Sequence, residues 1–437
     1  MKPIQWCAAI LGLVLCSSSA CSVSITPHGP YAEASRSAVI VVGGYYGTKL
    51  SRVDNGELLW VTASQAFGGA QSLILPLPDL ALDGVALRPS GILDEVRVVP
   101  WVYSFEVYRP LLAELGRLHG GHVSIYPLNY DWRLDLMDAV RLLSAEIRRL
   151  KSQGITHIVL VAHSMGGLIV SYYLRYGDQE LEQAVETWEG TLHVAKVVMA
   201  GVPFLGSMWS FRNMQYGRLI GFNSSLLDQQ ALASFPASYY TLPALGADVL
   251  LTPTQHPVRG AIHTPAHWRQ QWWGLLKGTP SAPAQVVERR DAYTSYWLDR
   301  SQRFFDLLHA PLTMPNDRPI PLLYLYADGQ RTLATGVWIP EEAGPHRANV
   351  VFDKDQFEKR LPHQDPTIVH EDGDGSVTVS SASLPRAYEQ AFQVTTERLQ
   401  VGHMDVVTGR EARRSVAVFS RHSRSTALDT RRGRGWL

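Results

Sequence analysis

The sequence predicts an α/β fold in which a mostly parallel central sheet carries helices on both faces and an inserted cap. Runs of β-forming residues alternate with apolar residues at helical spacing, and this alternation is interrupted once by a segment rich in aromatic residues. Alternation of this kind is typical of parallel sheets. The chain has 437 residues, 46% of them hydrophobic, which is enough for one large domain with insertions or for two domains.

The predicted domain limits follow from these changes of pattern. Residues 1–21 predict a signal peptide with a possible lipoprotein site, and residues 36–206 predict the first part of the sheet domain. The cap insertion takes residues 207–315, and the second part of the sheet domain takes residues 316–410. Residues 411–437 form a basic C-terminal tail, within which a helix over Ala412–Phe419 is left open.

The beginning of the chain predicts export. Lys2 precedes an apolar run, Trp6–Cys16, which is shorter than the about 20 residues of a membrane span and fits a secretory signal. Ala20-Cys21 resembles a bacterial lipoprotein processing site, although Ser18 stands where leucine is usual. We therefore expect Cys21 to be lipidated and to anchor the protein to a bacterial membrane, on its periplasmic or cell-surface face. The alternative is cleavage near Ala20 and a soluble secreted product.

The cysteines are confined to this leader. All three lie within the first 21 residues, so the processed chain keeps one at most and cannot form an internal disulfide.

Thr156–Gly177 predicts a strand, a sharp turn and a helix, with Ser164 at the turn. Ala162 and Gly166 flank the serine at two residues' distance, and both must be small because strand and helix backbones approach there. Ser164 is therefore a candidate nucleophile, and the backbone N–H of Met165 is a candidate oxyanion donor. The alternative is that small residues at this junction only allow close packing, as in any doubly wound sheet.

A glycine-rich loop follows the first predicted strand, Ala38–Val42, and has the sequence GGYYG from Gly43. One interpretation is a phosphate-binding loop, but the spacing is not G-x-G-x-x-G and no P-loop lysine follows. The other is that the N–H of Tyr45 serves as a second oxyanion donor, which hydrolases take from an early strand–helix loop.

The second half of the chain offers a base and three candidate acids. His403 lies in the exit loop of the last predicted strand, and serine, acid, histidine is the chain order of an α/β-hydrolase triad. Asp328 directly follows the strand Leu322–Ala327, where the generic fold places its acid. Asp372 and Asp374 lie about 45 residues later, in a glycine-rich loop.

Neither metal nor nucleic acid is expected. The acidic loop could hold Ca²⁺, but the EF-hand pattern is not completed because its last position falls on Ser383. His119 and His122, in HGGH, have neither cysteine nor an adjacent carboxylate, so a turn is favoured over a metal site. The formal net charge is +0, which argues against general nucleic-acid binding.

Five motifs occur in a fixed order, YPLNYDWR, AHSMGG, GVPFLGS, GDGSV and GHMD. In this order they resemble the lecithin:cholesterol acyltransferase family, which includes lysosomal phospholipase and phospholipid:diacylglycerol acyltransferase, over roughly residues 38 to 410. The resemblance implies the α/β-hydrolase fold, with Ser164 as nucleophile, Asp374 of GDGSV as acid, His403 as base and Gly44-Tyr45 as the oxyanion loop. The family's early V-P-G-x-x-G is VGGYYG here.

The function implied is a serine hydrolase or acyltransferase that acts on ester-linked acyl chains, foremost those of phospholipids, at a membrane surface. No cofactor is needed, since the triad and the oxyanion hole supply the chemistry. One alternative is a general carboxylesterase or triacylglycerol lipase, and another is a catalytically inactive lipid-binding envelope protein of the same fold. The oligomeric state stays open.

Two further segments of the chain are predicted to contact lipid. The aromatic segment, with Trp272 and Trp273, is expected to control access of the acyl chain, the alternative being a small helical core that uses tryptophan for bulk. The arginine-rich end, Thr426–Leu437, is expected either to bind anionic lipid or to be a solvated, disordered tail.

Overall fold

A computed structural model describes residues 37–421 except for 67, 69–71, 100–102, 121–122, 248, 280 and 345–346. The predicted export segment with Cys21 and the basic stretch Thr426–Leu437 lie outside the described residues. The described residues belong to one compact unit, which includes the predicted cap. Within this part of the chain, no helix combines the length and apolar character needed to cross a membrane.

The strands are short outside the central sheet. In chain order they are β1 Ser37–Val42, β2 Thr48–Arg52, β3 Leu58–Trp60, β4 Leu87–Ile92, β5 Glu95–Val99, β6 Tyr103–Glu106, β7 Ser124–Pro127, β8 His157–His163, β9 Lys196–Ala200, β10 Arg218–Ile220, β11 Asn223–Leu227, β12 Val249–Leu251, β13 Pro257–Arg259, β14 Pro321–Ala327, β15 Gln330–Leu333, β16 Gly336–Trp338, β17 Val350–Val351, β18 His370–Gly373 and β19 Gln393–Leu399.

The α-helices vary more in length. In chain order they are α1 Ala63–Ala66, α2 Arg109–His119, α3 Leu136–Ser152, α4 Met165–Tyr176, α5 Glu189–His193, α6 Met208–Tyr216, α7 Gln229–Ser234, α8 Pro236–Tyr239, α9 Pro265–Gln271, α10 Ala284–His309, α11 Lys354–Arg360, α12 Arg386–Ala391, α13 Asp405–Thr408 and α14 Arg410–Ser420. Short 3₁₀ turns occur at Pro78–Leu80, Leu181–Gln183, Gly274–Leu276, Pro340–Glu342 and Pro366–Val369.

The central sheet has six strands in the order β19-β14-β9-β8-β1-β7, and every neighbouring pair is parallel. Strands β1 and β8 are almost wholly buried, which explains their continuous apolar runs. Helices α3, α4 and α5 pack together, while α2, α13 and α14 form a second group. The predicted fold class, a parallel sheet with intervening helices, is confirmed.

Helix α3 shows how the sequence produces these elements. Asp135 caps it by accepting a hydrogen bond from the N–H of Met137, which satisfies one of the free amides of the first turn. The apolar positions Val140, Leu143 and Ile147 recur at helical spacing and are fully buried. The cap and the buried face therefore fix the position of α3, the helix that directly precedes β8.

The inserted segment lies between β9 and β14, where the alternation was predicted to stop, but its limit at residue 315 is not a structural boundary. Strand β12 of the insertion pairs in parallel with β16, which follows that limit, and β13 and β17 complete this four-stranded sheet. The pairing joins residues more than 80 positions apart, for example Leu250 and Gly336. No local pattern could have indicated it.

Two expectations need correction. Residues 411–420 do not start a tail but form most of α14, because Ala412 and Val416 lie on one buried face. Trp273 is fully buried, so the Trp272-Trp273 pair does not form an exposed patch, and Trp273 belongs to the alternative, a small aromatic core.

Candidate active site

The site begins at the junction of β8 and α4. Ser164 is the single residue between them, with φ +55° and ψ −128°, and its side chain lies at the sharp turn. A positive φ is uncommon for a residue with a Cβ atom, and such strain is typical of a nucleophile elbow. The serine is 9% exposed, so it is accessible from one side only.

Glycines around the elbow are required by close contacts. A Cβ atom on Gly44 would lie 2.7 Å from the Cβ of Ser164, and one on Gly166 would lie 2.4 Å from the carbonyl oxygen of Val42. Neither distance is sterically possible without movement of the backbone or of the serine. The small residues predicted around Ser164 therefore set its position.

Three predicted residues form one hydrogen-bonded line. The distance from Ser164 Oγ to His403 Nε2 is 2.9 Å, and that from His403 Nδ1 to Asp374 Oδ2 is 2.7 Å. Ser164 follows β8, Asp374 follows β18 and His403 follows β19. The fold thus brings together side chains that are up to 239 positions apart in the chain.

The carboxylate of Asp374 is held in its ionised form. Burial by itself would raise the pKa of Asp374. The pKa is nevertheless lowered below its usual value by the charge of His403, by the hydrogen bond from His403 and by backbone hydrogen bonds from Val377 and Ser376. Both backbone N–H groups donate to Asp374 Oδ1, at 2.9 Å from Ser376 and 2.7 Å from Val377. Oδ2 is left for the imidazole.

The other two candidate acids lie elsewhere. Asp328 is buried after β14, as the generic rule places it, but it forms an ion pair with Arg398. Asp372 is exposed within β18, opposite Arg331. Among the described residues, Asp374 is the candidate acid that the structure places against His403.

A second hydrogen-bonded group lies beneath the first and was not found from the sequence. His163 Nδ1 lies 2.8 Å from the hydroxyl of Tyr108, and its Nε2 lies 3.0 Å from the backbone oxygen of His403. The N–H of Gly44 donates to the same Tyr108 hydroxyl at 2.9 Å. This group links the glycine-rich loop, the elbow and the backbone of His403.

The protonation of His163 follows from its surroundings. Burial, and then the nearby His403, lower the pKa of His163 to about 3, so the ring is neutral near pH 7. The carbonyl of His403 can only accept, so Nε2 carries the hydrogen and Nδ1 accepts from the O–H of Tyr108. The sequence signal was the histidine inside AHSMGG, but nothing local indicated its partners.

The two predicted oxyanion donors stay predictions. Within the described residues, no protein acceptor takes the N–H of Tyr45 or of Met165. The N–H of Gly44 is directed to Tyr108 instead. The hydroxyl of Tyr45 is 2.7 Å from Ser238 Oγ, which fixes this loop to the inserted segment.

A cavity of about 600 Å³ opens above the serine and is lined by both parts of the molecule. Ser164 and His403 come from the sheet domain, whereas Trp209, Arg212 and Arg218 come from the inserted segment. None of the described residues that line it is an aspartate or glutamate. The described residues also contain no cluster of three or more histidine, cysteine or acidic side chains that could hold a metal ion.

The parallel sheet, the strand–serine–helix elbow and the order of the three site residues define an α/β-hydrolase. The family model described as lecithin:cholesterol acyltransferase matches residues 105–270, which contain YPLNYDWR, AHSMGG and GVPFLGS. The resemblance inferred from the motifs is thereby confirmed for this part of the chain.

Solved structures resemble this chain at low sequence identity. A structure of a Tle4–Tli4 complex has a TM-score of 0.50 and 12% identity, covering 87% of this chain and 97% of that one. The mature lipase BlEst2 of Bacillus licheniformis has a TM-score of 0.35 and 10% identity, covering 90% and 94%. No curated protein matches the chain. The likeness to the first structure supports the α/β-hydrolase fold.

Proposed function

We propose that this protein is a serine-dependent lipid acyl hydrolase or acyltransferase that acts on ester-linked acyl chains. The observation that carries the proposal is the line from Ser164 Oγ through His403 to Asp374, placed at a cavity large enough for a lipid ester. The match to the lecithin:cholesterol acyltransferase model supports a lipid ester as substrate and acyl transfer as the reaction.

In the proposed mechanism Ser164 Oγ attacks the acyl carbonyl carbon while His403 Nε2 takes the hydroxyl proton. Asp374 orients the imidazole and stabilises its charged form. Collapse of the tetrahedral intermediate breaks the ester bond, and His403 returns the proton to the leaving oxygen. Water or an alcohol then attacks the acyl-enzyme with His403 again as base, which releases an acid or a new ester.

The oxyanion of the tetrahedral intermediate would accept from the N–H groups of Tyr45 and Met165. The amide of Tyr45 lies in the glycine-rich loop, and Met165 is the first residue of α4, where the helix dipole favours negative charge. Gly44 would contribute by keeping Tyr45 close to the serine.

Phospholipids are the proposed substrates, because the matched family model is named for acyl transfer from lecithin. We further propose that the protein is exported and anchored through a lipid on Cys21, which rests on the leader pattern alone. Cell fractionation checks the anchor: Cys21→Ser should move the protein from the membrane to the soluble periplasmic or secreted fraction. A wild-type protein already in the soluble fraction would contradict it.

Covalent labelling tests the proposed mechanism. A fluorophosphonate probe should label the wild-type protein, and Ser164→Ala should lose both the label and ester hydrolysis. Ser210→Ala is the matched control, because Ser210 lines the same cavity but bonds Thr241 and not an imidazole. Undiminished labelling of Ser164→Ala would overturn the assignment, and a wild-type protein that neither labels nor hydrolyses any ester would favour an inactive lipid-binding protein.

A further inference from the structure

We propose that Arg218 and Arg212, on the inserted segment, form an anion site that binds the phosphate diester of the lipid whose ester is cleaved at Ser164. This inference rests on the proposed lipid acyl hydrolase and names the headgroup chemistry that its cavity selects. Both arginines line the cavity that contains Ser164 and His403.

Arg218 is the exposed member of the pair. It begins β10, directly after the turn at Gly217, and its guanidinium lies over the ring of Tyr46 at 4.9 Å from the centroid. Within the described residues no carboxylate forms an ion pair with it. The ring fixes one face of the guanidinium, and a hydrogen bond to Tyr46 holds part of its edge, so that the remaining N–H groups can bind a ligand.

Arg212 is held more firmly. Its guanidinium lies over the rings of Trp209 and Tyr216, at 5.1 and 5.7 Å from the two centroids. Its acidic neighbour is Asp353, whose carboxylate is 3.6 Å away and 41% exposed. A single long ion pair at the surface contributes little, so the positive charge of Arg212 is weakly compensated.

The charge of the cavity supports an anionic ligand. Among the residues that the structure describes, its lining includes these two arginines and no carboxylate. Asp374 lies just behind it, but its charge faces His403. Unbalanced positive charge in a cleft attracts anions, because the cleft focuses the electric field of the charged groups that line it.

Phosphate suits these residues better than a carboxylate or a neutral headgroup. Arginine presents a planar fork that binds phosphate oxygens in pairs. In a glycerophospholipid the phosphate is only a few bonds from each acyl ester, so both can occupy one cavity. Leu219, next to Arg218 on the rim, is 62% exposed and offers an apolar surface beside the charge. The rim is therefore amphipathic, as the lipid is.

The test compares two lipids with identical acyl chains, phosphatidylcholine and diacylglycerol, in mixed detergent micelles. Arg218→Gln should lower the ratio of kcat/KM for phosphatidylcholine to kcat/KM for diacylglycerol by about 10- to 100-fold, the usual effect of losing charged hydrogen bonds. Arg218→Lys should restore part of the ratio, and Arg212→Gln should lower it in the same direction. Arg386→Gln is the control, since Arg386 is exposed but does not line the cavity.

Binding gives a second readout that does not depend on turnover. In a Ser164→Ala background, Arg218→Gln should weaken binding of short-chain phosphatidylcholine, measured by calorimetry below its critical micelle concentration, and leave binding of the matched diacylglycerol nearly constant. Equal losses for both lipids, or an unchanged ratio, would overturn the anion site. A wild-type enzyme that hydrolyses only uncharged esters would also overturn it while the acyl hydrolase stands. Binding without any ester turnover would refute the hydrolase and keep the site.

Discussion

The sheet domain and the inserted segment, residues 207–315, differ in the interactions that their side chains make near the cavity. Around Ser164 the sheet domain arranges buried and half-buried polar side chains in a continuous hydrogen-bonded set that includes Asp374, His403 and His163. The inserted segment buries aromatic rings against one another, and directs arginines into the cavity. The contrast teaches that the sheet domain fixes the positions of the three hydrogen-bonded side chains, whereas the inserted segment supplies much of the cavity wall above them.

The strongest test of this contrast replaces, one at a time, two buried acids of the sheet domain, Asp374 and Asp328. Asp374→Asn should cut kcat on a short soluble ester by up to about 10⁴-fold, because Asn can keep the bonds to Ser376 and Val377 but offers His403 an amide N–H where the carboxylate accepted. The imidazole would then present the wrong tautomer to Ser164. Asp328→Asn should have only a modest effect, since Asp328 faces Arg398.

Steady-state assays of both variants, with thermal melts to confirm folding, decide the matter. A folded Asp374→Asn enzyme that keeps most of its activity would refute the assignment of the acid. A comparable loss in Asp328→Asn would move the assignment to the generic position.

The second test compares two tryptophans of the inserted segment. Trp273 is fully buried against Phe211, and its Nε1 donates to Asn349 at 2.8 Å, so Trp273→Ala should cost about 3 to 5 kcal/mol of folding stability. Trp209 is 36% exposed at the cavity, so Trp209→Ala should leave the melting temperature nearly unchanged. It should instead lower activity on aggregated long-chain lipid more than on a short ester.

Melting temperature and the activity ratio for the two substrates are measured side by side. If Trp209→Ala destabilised the protein as much as Trp273→Ala, the segment would have a single aromatic core and no access surface.

The third test returns to the elbow. A Cβ atom on Gly44 would lie 2.7 Å from that of Ser164, so Gly44→Ala should displace the serine and lower kcat by about 10²-fold on every ester alike. Gly116→Ala is the matched control, because Gly116 lies in α2 with open space around it. The control should keep full activity and gain up to about 1 kcal/mol of stability from the better helix former. A substrate-dependent loss in Gly44→Ala would mean that the loop binds the acyl chain.

The last test uses pH. Burial lowers the pKa of His163 to about 3 from its usual 6.5. At pH values between these two, the unfolded chain binds a proton at His163 and the folded chain does not. The contribution of neutral His163 to the free energy of unfolding is complete above about pH 6.5. Below that pH, the free energy of unfolding falls by up to about 1.4 kcal/mol per pH unit as the pH decreases toward 3. The titratable groups that face the ring are Tyr108, His403 and Asp374.

Melting temperatures of wild type and His163→Asn from pH 7 to pH 4 measure this contribution. The variant should be less stable at pH 7 and show a flatter decline toward low pH. His119→Asn is the comparison, since burial also lowers the pKa of His119, which bonds Ser420 far from the cavity. Parallel curves for wild type and His163→Asn would show that His163 takes up its proton without cost in the folded protein.

Local features decided what could be predicted from the sequence. The parallel sheet and the elbow were predicted from the apolar spacing of α3, the continuous β-formers of β8 and the small residues around Ser164. These patterns reflect interactions between residues that are close in the chain. The motifs also marked Asp374 and His403 as partners of Ser164, and the structure places the three in contact.

Only the tertiary structure decided which side chains surround the hydrogen-bonded line of Ser164, His403 and Asp374. Positions far apart in the chain are brought together by the pairing of β12 with β16, by the burial of Trp273, and by the bonds of His163 to Tyr108 and to the carbonyl of His403. The same holds for the placement of Arg212 and Arg218 at the cavity. Their free energies depend on burial and on facing charges, which exist only after packing is complete. The sequence by itself therefore identified the three residues of the hydrogen-bonded line, and packing determined which side chains support them and line the cavity.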